Sequence, residues 1–484
     1  MSQFVPSYPD GLPIGDGWVA TSDAEPVHFP YDGTVVATAP VGTVEHARMA
    51  LDAATRVAAE VAALPSRTRR DVLLAARDEL AAAQEEFERL LVLETGKPLR
   101  DCKVEVARTL VTLTASAEEV ARIHGETVPL DLLPSGDGML GFWRRVPIGV
   151  VVGIAGFNYP LLLAAHKIAP SIAAGCPVVC KPAPHTPLAT LWLVDLIRTA
   201  AARHGAPAAM VQLVTGDAEV GAALVGDDRV GAVSFTGSSA VGHAIARAAA
   251  PRKVLLELGS NAALIVAADA DLDQAADAVV RGGYYASGQA CISVQRVVVE
   301  EAVAEEFLDR VVARVRKVVV GDPRDAATDM SALIDERSTE RVRSWVAKAV
   351  DAGATVVAGG QAEGRLLSPT VVTDVPAGLE LWDAEVFGPV VAVRAVPDID
   401  AAFAVANDSR YGLHASVWTR SLDTAFRAID CLEVGGVIVN EVPGFRSDTM
   451  PYGGVKDSGI GREGPRFAIE ELTVTKMAVL KWGV

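Results

Sequence analysis

The stretch Gly149-Val150-Val151-Val152-Gly153-Ile154-Ala155-Gly156-Phe157-Asn158-Tyr159-Pro160 decides how this chain folds. It sits inside Val146–Ala165, twenty residues without a charge, close to the length a membrane-spanning helix needs. Pro147, Gly149, Gly153, Gly156, Asn158 and Pro160 interrupt that run. It therefore reads as a buried strand over Gly149–Ile154, a loop, and a helix beginning near Pro160. The same grammar repeats downstream. Short apolar strands are expected at Pro177–Lys181, Val211–Val214, Ala232–Phe235 and Val254–Leu258, with helices at Leu161–Ala174, Pro187–Ala201, Asp217–Val225 and Ser239–Ala249. Strands alternating with helices imply a parallel sheet covered on both faces. A second series follows, with strands at Ala263–Val266, Val294–Val299, Thr355–Ala358, Thr370–Thr373, Val390–Ala395, Ala415–Thr419 and Gly436–Asn440. Its helices include Leu272–Ala286, Ala304–Val318, Ser338–Asp351, Ile399–Asn407 and Ser421–Cys431. The fold class is α/β, with two doubly wound parallel-sheet domains.

Upstream, Met1–Pro40 reads as irregular segments and short strands. Thr43–Glu126 is mostly amphipathic helix, with Gly96-Lys97-Pro98 as a helix stop. Its charged residues are expected on solvated faces. Gly125–Arg145 is rich in turns and ends in a strand. The final segment, Glu471–Val484, again reads as strand, able to join a sheet edge elsewhere, including one on another subunit.

At 484 residues the chain is long enough for two or three domains, and 50% hydrophobic with 22% charged residues is an ordinary globular balance. The net charge of -17 opposes binding of nucleic acid or an anionic membrane over the whole surface, while leaving room for a local basic pocket. Five scattered cysteines (Cys102, Cys176, Cys180, Cys291, Cys431) make no disulfide framework, and no Cys/His cluster completes a metal set. Cys176 and Cys180 read as apolar core fillers. Met1–Trp18 lacks a basic region and a continuous apolar run, so no signal peptide is expected, and a cytoplasmic location fits best.

Chemistry concentrates in a few places. Gly288-Gln289-Ala290-Cys291-Ile292-Ser293 presents one thiol among small neighbours. An unperturbed thiol, with a pKa of about 8.5, needs a base or an electropositive setting to act as a nucleophile. Taken alone, Cys291 reads first as a buried structural residue. Glu257 ends a strand beside Gly259, where its carboxylate could enter a cleft or sit on the surface. Asn158 follows a strand; its amide could stabilise an oxyanion or bond loop backbone. Together the three supply nucleophile, base and donor. Gly459-x-Gly461-x-x-Gly464 resembles a dinucleotide fingerprint but opens no βα unit near the start of the first sheet. Phe235-Thr236-Gly237-Ser238-Ser239 does follow a strand and open a helix, where N–H groups can meet a pyrophosphate. Lys181, at another strand end, is a cation placed for a ribose or a 2′-phosphate.

Six motifs then fall in one order: Ile154-Ala155-Gly156-Phe157-Asn158-Tyr159-Pro160, Phe235-Thr236-Gly237-Ser238, Glu257-Leu258-Gly259, Gly288-Gln289-Ala290-Cys291, Glu385-Val386-Phe387-Gly388-Pro389 and Pro451-Tyr452-Gly453-Gly454-Val455-Lys456-Asp457-Ser458-Gly459. This series resembles the signatures of the aldehyde dehydrogenase superfamily, down to the spacing of 34 between Glu257 and Cys291 (291 minus 257). The resemblance implies a cofactor-binding domain over residues 1–126 and 146–256, a catalytic domain over 257–455, and a small β arm for oligomerisation over 127–145 and 456–484. It implies a homodimer or homotetramer. It also implies oxidation of an aldehyde to a carboxylic acid with NAD or NADP, through a thiohemiacetal and a thioester on Cys291. Asn158 is then the oxyanion donor, and Glu257 activates the hydrolytic water.

Carried over in the same way, Ile154, Phe157, Lys181, Gly216, Phe235, Gly237, Ser238, Leu258, Glu385 and Phe387 bind the cofactor, and Lys167 matches a lysine near the active site. Glu385 holds the nicotinamide ribose and Phe387 packs on the nicotinamide. Lys181 contacts the adenosine ribose. Pro184 stands where members that prefer NAD often carry Glu, and with Lys181 kept this permits NADP, with His185 and Thr186 close by. Tyr159 and His166 match tunnel positions, and Arg446 matches an arginine of lactaldehyde- and phosphonoacetaldehyde-oxidising members. Arg446 could pair with an anionic tail, or with Asp448. Ala290 beside Cys291 argues against a phosphonate. The expected substrate is a small hydroxy- or carboxy-substituted aldehyde. Rivals are a CoA-acylating enzyme, a non-catalytic binding protein of this fold, and a cysteine hydrolase.

Overall fold

A computed structural model describes residues 8–482. The expectations for Met1–Ser7 and for Gly483–Val484 lie outside these residues. An antiparallel strand pair, Ala24–His28 with Val35–Pro40, precedes four helices: α1 (Val44–Ala63), α2 (Ser66–Ala82), α3 (Gln84–Thr95) and α4 (Leu99–Glu119). Thr43 starts α1 with a capping box, and Gly96 ends α3 at φ 72°, a left-handed turn that suits glycine.

The first sheet has six strands in the order Gly459–Ile460, Lys253–Glu257, Val230–Thr236, Val150–Ile154, Val178–Lys181, Val211–Leu213. The last five are parallel. They are joined by α5 (Pro160–Ala174), α6 (Leu188–Arg203), α7 (Ala218–Gly226) and α8 (Ser239–Ala249). The strand order reverses at Val150–Ile154. That places a crevice at the carboxyl ends of Val150–Ile154 and Val230–Thr236, where open α/β sheets bind ligands. Helices and sheet share one continuous hydrophobic core, which includes Cys102, Cys176 and Cys180. Burial on both faces explains why these strands read as unbroken apolar runs.

The second sheet has seven strands, ordered Thr355–Ala358, Thr370–Thr373, Val390–Val396, Arg296–Glu300, Ala263–Val266, His414–Trp418, Gly436–Val439. All are parallel except the Thr355–Ala358 edge. Two cores lie on its opposite faces, with Ile265 and Val298 in one and Leu264, Val266, Val297 and Val299 in the other. The strand expected from Val294 begins only at Arg296. Gln295 and Arg296 are buried polar residues that spend their hydrogen bonds outside the sheet: Gln295 on the loops at Ser260 and Val386, Arg296 on Asn261 and on the last-turn carbonyls of Val405 and Ala406 in the helix Ile399–Asn407. The helix expected over Leu272–Ala286 ends at Tyr284, because Ala286 and Ser287 turn left-handed.

A separate three-stranded antiparallel sheet is formed by Thr473–Lys481, Met139–Pro147 and Glu126–Val128, with Thr473–Lys481 on one edge. Only that strand of the 456–484 segment joins it. Gly459–Ile460 pairs with Lys253–Glu257, and Pro465–Glu471 packs on α5. Two of the Gly459-x-Gly461-x-x-Gly464 glycines thus serve close backbone packing: a Cβ would lie 2.4 Å from Leu256 O on Gly459 and 2.4 Å from Met450 O on Gly464.

Candidate active site

The carboxyl edge of the first sheet faces the amino edge of the second. The chain leaves the first sheet at Glu257 and enters the second at Ala263. Cys291 and Glu385 also lie just before second-sheet strands. The site is therefore built from loops that follow strands on one side and precede them on the other.

A cavity of about 430 Å³ fills this junction. Cys291, Glu257 and Asn158 all line it, and so do Phe157, Tyr159, His166 and Arg446. Gly237, Ser238, Leu258, Glu385 and Phe387 line its other end. Ile154 and Lys181 end strands of the first sheet and Phe235 is the last residue but one of another, but none of the three lines this cavity, and Gly216 lines a second one beside Pro184, Asp217 and Glu219.

The thiol loop is held tightly. Ala286 and Ser287 are left-handed without being glycine, a strain of the kind that clusters at functional sites. Three contacts hold them there. Asp101 on α4 accepts from Ala286 N at 2.9 Å, Ser287 Oγ donates to Ser331 O, and Gly288 packs where a Cβ would lie 2.2 Å from Gly388 O. Asn158 Nδ2 donates to Gln289 O at 2.8 Å, tying the first-sheet loop to the thiol loop. The amide thus makes the backbone bond that was one of its two sequence-level alternatives, and also faces the cavity. Its nitrogen carries a second hydrogen.

Glu257 is 5% exposed, and its Oε2 has no hydrogen-bond partner. Burial and the neighbouring Glu463 carboxylate hold it well above the usual carboxylate range. Glu463 goes the other way. Burial opposes its charge, but Lys167, His166 and Arg446 keep it well below the usual range. Burial pushes the Cys291 thiol up to about 11, against a hydrogen bond with Tyr452. Burial also raises Glu385 to about 7, although Ser260 N donates to it at 3.0 Å.

Behind the cavity runs a chain of buried charges. Lys167 Nζ reaches Glu463 at 3.1 Å and Thr236 Oγ1 at 2.6 Å. His166 bridges Glu463 and Asp448, each at 3.2 Å. Arg446 pairs with Glu463 at 3.0 Å, lies 3.6 Å from Asp448, one of its two expected partners, and also lines the cavity. Arg108, on α4, donates twice to Asp448 and lines the cavity.

Arg108 corrects the expectation that charges of the helical section are solvated. Glu94, Lys97 and Glu105 are buried as well. A signal was present: Glu105 falls on the stripe of Cys102, Val106 and Thr109 that α4 buries. Tyr285 and Tyr452 were likewise not singled out, and both line the cavity.

Comparison with known proteins decides the family. A profile described as "Aldehyde dehydrogenase family" matches residues 18–478. The chain belongs to the aldehyde dehydrogenase family. Among its relatives, the enzyme is 41% identical over 471 residues to 3-sulfolactaldehyde dehydrogenase of Priestia aryabhattai, covering 97% of this chain and 98% of that one. Aldehyde dehydrogenase 21 of Physcomitrella patens, solved with its reaction product succinate, superposes with a TM-score of 0.94 at 36% identity, covering 98% of each chain. Glyceraldehyde-3-phosphate dehydrogenase GapN of Methanocaldococcus jannaschii, complexed with NADP, gives a TM-score of 0.91 at 35% identity, covering 95% of the enzyme and all of that chain. The enzyme is an NAD(P)-dependent aldehyde dehydrogenase.

The residues present fit such a cofactor. Ser238 stands at the N-cap of α8 without a side-chain cap bond, leaving a helix N-terminus of the kind that binds phosphate. Gly237 keeps the approach open: a Cβ there would lie 2.5 Å from the Phe235 ring. Phe387, at φ 47°, meets Phe157 edge-on at 5.7 Å across the cavity.

Proposed function

We propose that the enzyme oxidises a small aldehyde bearing an anionic or hydroxyl group, with Cys291 as nucleophile, Asn158 as oxyanion donor and Glu257 as the base for hydrolysis. The observation that carries this is the meeting of thiol, amide and a carboxylate with an unpartnered oxygen in one cavity. Cys291 sulfur, once deprotonated, adds to the aldehyde carbon. The second Asn158 Nδ2 hydrogen and the Cys291 backbone N–H receive the developing oxyanion, a contribution of about 10²–10³ in rate per donor. NAD or NADP, when bound, accepts the hydride whose loss turns the thiohemiacetal into a thioester. Glu257 then takes a proton from water, and the hydroxide releases the acid. Ser238 and Phe157 would contact the pyrophosphate region, and Glu385 and Phe387 the nicotinamide half.

Arg108 and Arg446 support an anionic tail. Both line the cavity, each anchored by a buried carboxylate, Arg108 by Asp448 and Arg446 by Glu463, so their guanidinium groups are held where such a tail would lie. The relatives point the same way, through sulfolactaldehyde in one and succinate in another. NADP should serve at least as well as NAD, because Lys181 is kept and Pro184 replaces a carboxylate that would repel a 2′-phosphate. The Thr473–Lys481 edge strand, with exposed Val474, Met477, Val479 and Leu480, supports a homo-oligomer built through the arm. Five unpaired cysteines suit a reducing cytoplasm.

The test is a panel of anionic and neutral aldehydes with NAD and with NADP, followed at the nicotinamide absorbance, with and without CoA. Free acid formed without CoA, a kcat/KM for NADP no lower than for NAD, and loss of turnover in Cys291→Ala are expected. Unchanged turnover in Cys291→Ala would end the proposal.

A further inference from the structure

We propose that the Tyr452 hydroxyl is a catalytic hydrogen-bond donor to the Cys291 sulfur, holding it in the anionic form from which it attacks. This rests on the reading of Cys291 as nucleophile. The two atoms lie 3.1 Å apart, although 161 residues separate them in sequence. Tyr452 is 2% exposed, and a buried phenol takes a hydrogen-bond partner. Here that partner is the thiol.

The ring is firmly mounted. Tyr452 and Glu463 exchange two backbone hydrogen bonds, at 3.1 and 2.7 Å. The His414 ring meets it edge-on at 5.1 Å and is itself fixed by Pro443 O. The Arg446 guanidinium lies over its face, 3.7 Å from the centroid. A cation there draws density from the ring and makes the O–H a stronger donor.

The chemistry follows from what each atom can do. While sulfur carries its proton, either group can donate. Once the proton has passed to solvent water, sulfur can only accept, so the phenol must donate and the bond favours the charged form. Tyr452 keeps its own proton throughout. On attack a sulfur lone pair becomes the carbon–sulfur bond, the carbonyl π pair moves to oxygen, and the bond to Tyr452 weakens. The other groups around the thiol pull in opposite directions. Glu385 and Glu257 disfavour the thiolate and Arg446 favours it, while Tyr285 and Arg108 face the same cavity. Tyr452 is the one of these that touches sulfur.

The experiment is the pH dependence of iodoacetamide alkylation of Cys291, read by mass spectrometry of its peptide, in the wild type and Tyr452→Phe. The midpoint is expected to rise by about one pH unit. Below it, alkylation should slow only ~3-fold, because the ~10-fold loss of thiolate is partly offset by greater nucleophilicity. Above it, the variant should match or exceed the wild type, and kcat/KM for an aldehyde should follow the same crossing. An unmoved midpoint, or slowing by one factor at every pH, overturns the proposal. Should Tyr452→Phe not fold, wild-type enzyme carrying 3-fluorotyrosine should show a lower midpoint, and an unmoved one overturns the proposal equally. Cys291→Ala separates the two readings. Turnover retained in that variant removes the nucleophile itself. Turnover lost there, with an unmoved midpoint in Tyr452→Phe, removes only the role of Tyr452.

Discussion

Glu105 and Glu257 are the same residue type and both buried, and they are used in opposite ways. Glu105, at the heart of α4, has every bond made. Lys97 Nζ closes on Oε2, while Leu161 N and Leu162 N donate to Oε1 at 3.0 and 3.2 Å. It thereby pins the first turn of α5, directly after Asn158 and Tyr159, and Lys97 also lies over the Tyr159 ring at 3.7 Å. Glu257 faces the cavity with Oε2 unpartnered and stands against a second carboxylate. A saturated buried carboxylate builds structure. An unsaturated one keeps a lone pair for a proton that has yet to arrive.

The sharpest way to break that contrast is Glu257→Gln. Steady-state turnover should fall by about 10²–10⁴, the usual worth of a positioned base, while the first-turnover burst of reduced nicotinamide persists and thermal stability does not drop. Turnover within tenfold of wild type would erase the distinction. Glu105→Ala should do the reverse. It leaves Lys97 buried and unpaired, a loss of about 3–5 kcal/mol in denaturant unfolding, with folded enzyme turning over far better than Glu257→Gln. A stable Glu105→Ala variant would sink the structural half of the comparison.

Titration sharpens it further. Because the folded-state pKa of Glu257 is raised, the base is lost at a higher pH than for an ordinary carboxylate, so wild-type hydrolysis should decline as pH falls through that raised value. The same shift has a stability sign. Stability associated with Glu257 is full below its unfolded pKa and is lost as pH rises through the folded one. The melting temperature of wild type relative to Glu257→Gln should therefore decrease from pH 5 to pH 9, and a flat difference would contradict the buried, charge-opposed carboxylate. The smallest effect is expected at Arg446→Gln, where preference for anionic over neutral aldehydes should fall about tenfold in kcat/KM, one charge-assisted hydrogen bond's worth. No change would return Arg446 to a purely structural part.

Much of this was legible before any coordinates. Strands such as Val150–Ile154 and Ala263–Val266 stand out because burial on both faces makes them continuous apolar runs. The turns after them stand out because Gly156 and Gly237 interrupt those runs. The second-sheet site was less legible. Cys291 lies before its strand, and nothing in a local pattern tells which edge of a sheet will face a partner domain. Arg108 and Glu105 were assigned to solvent because a helix face that packs against a distant loop looks, in isolation, like any polar face.

The order of the strands, the thiol, the carboxylate and the amide, and the glycines that let backbone come close, are properties of the sequence alone, since each is set by neighbours within a few residues. Which oxygen of Glu257 goes unpartnered, which arginines close the cavity, and that Tyr452 meets Cys291 were decided only when two sheets met edge to edge. Those contacts join residues more than a hundred positions apart, and their energies depend on burial that no local stretch of chain possesses by itself.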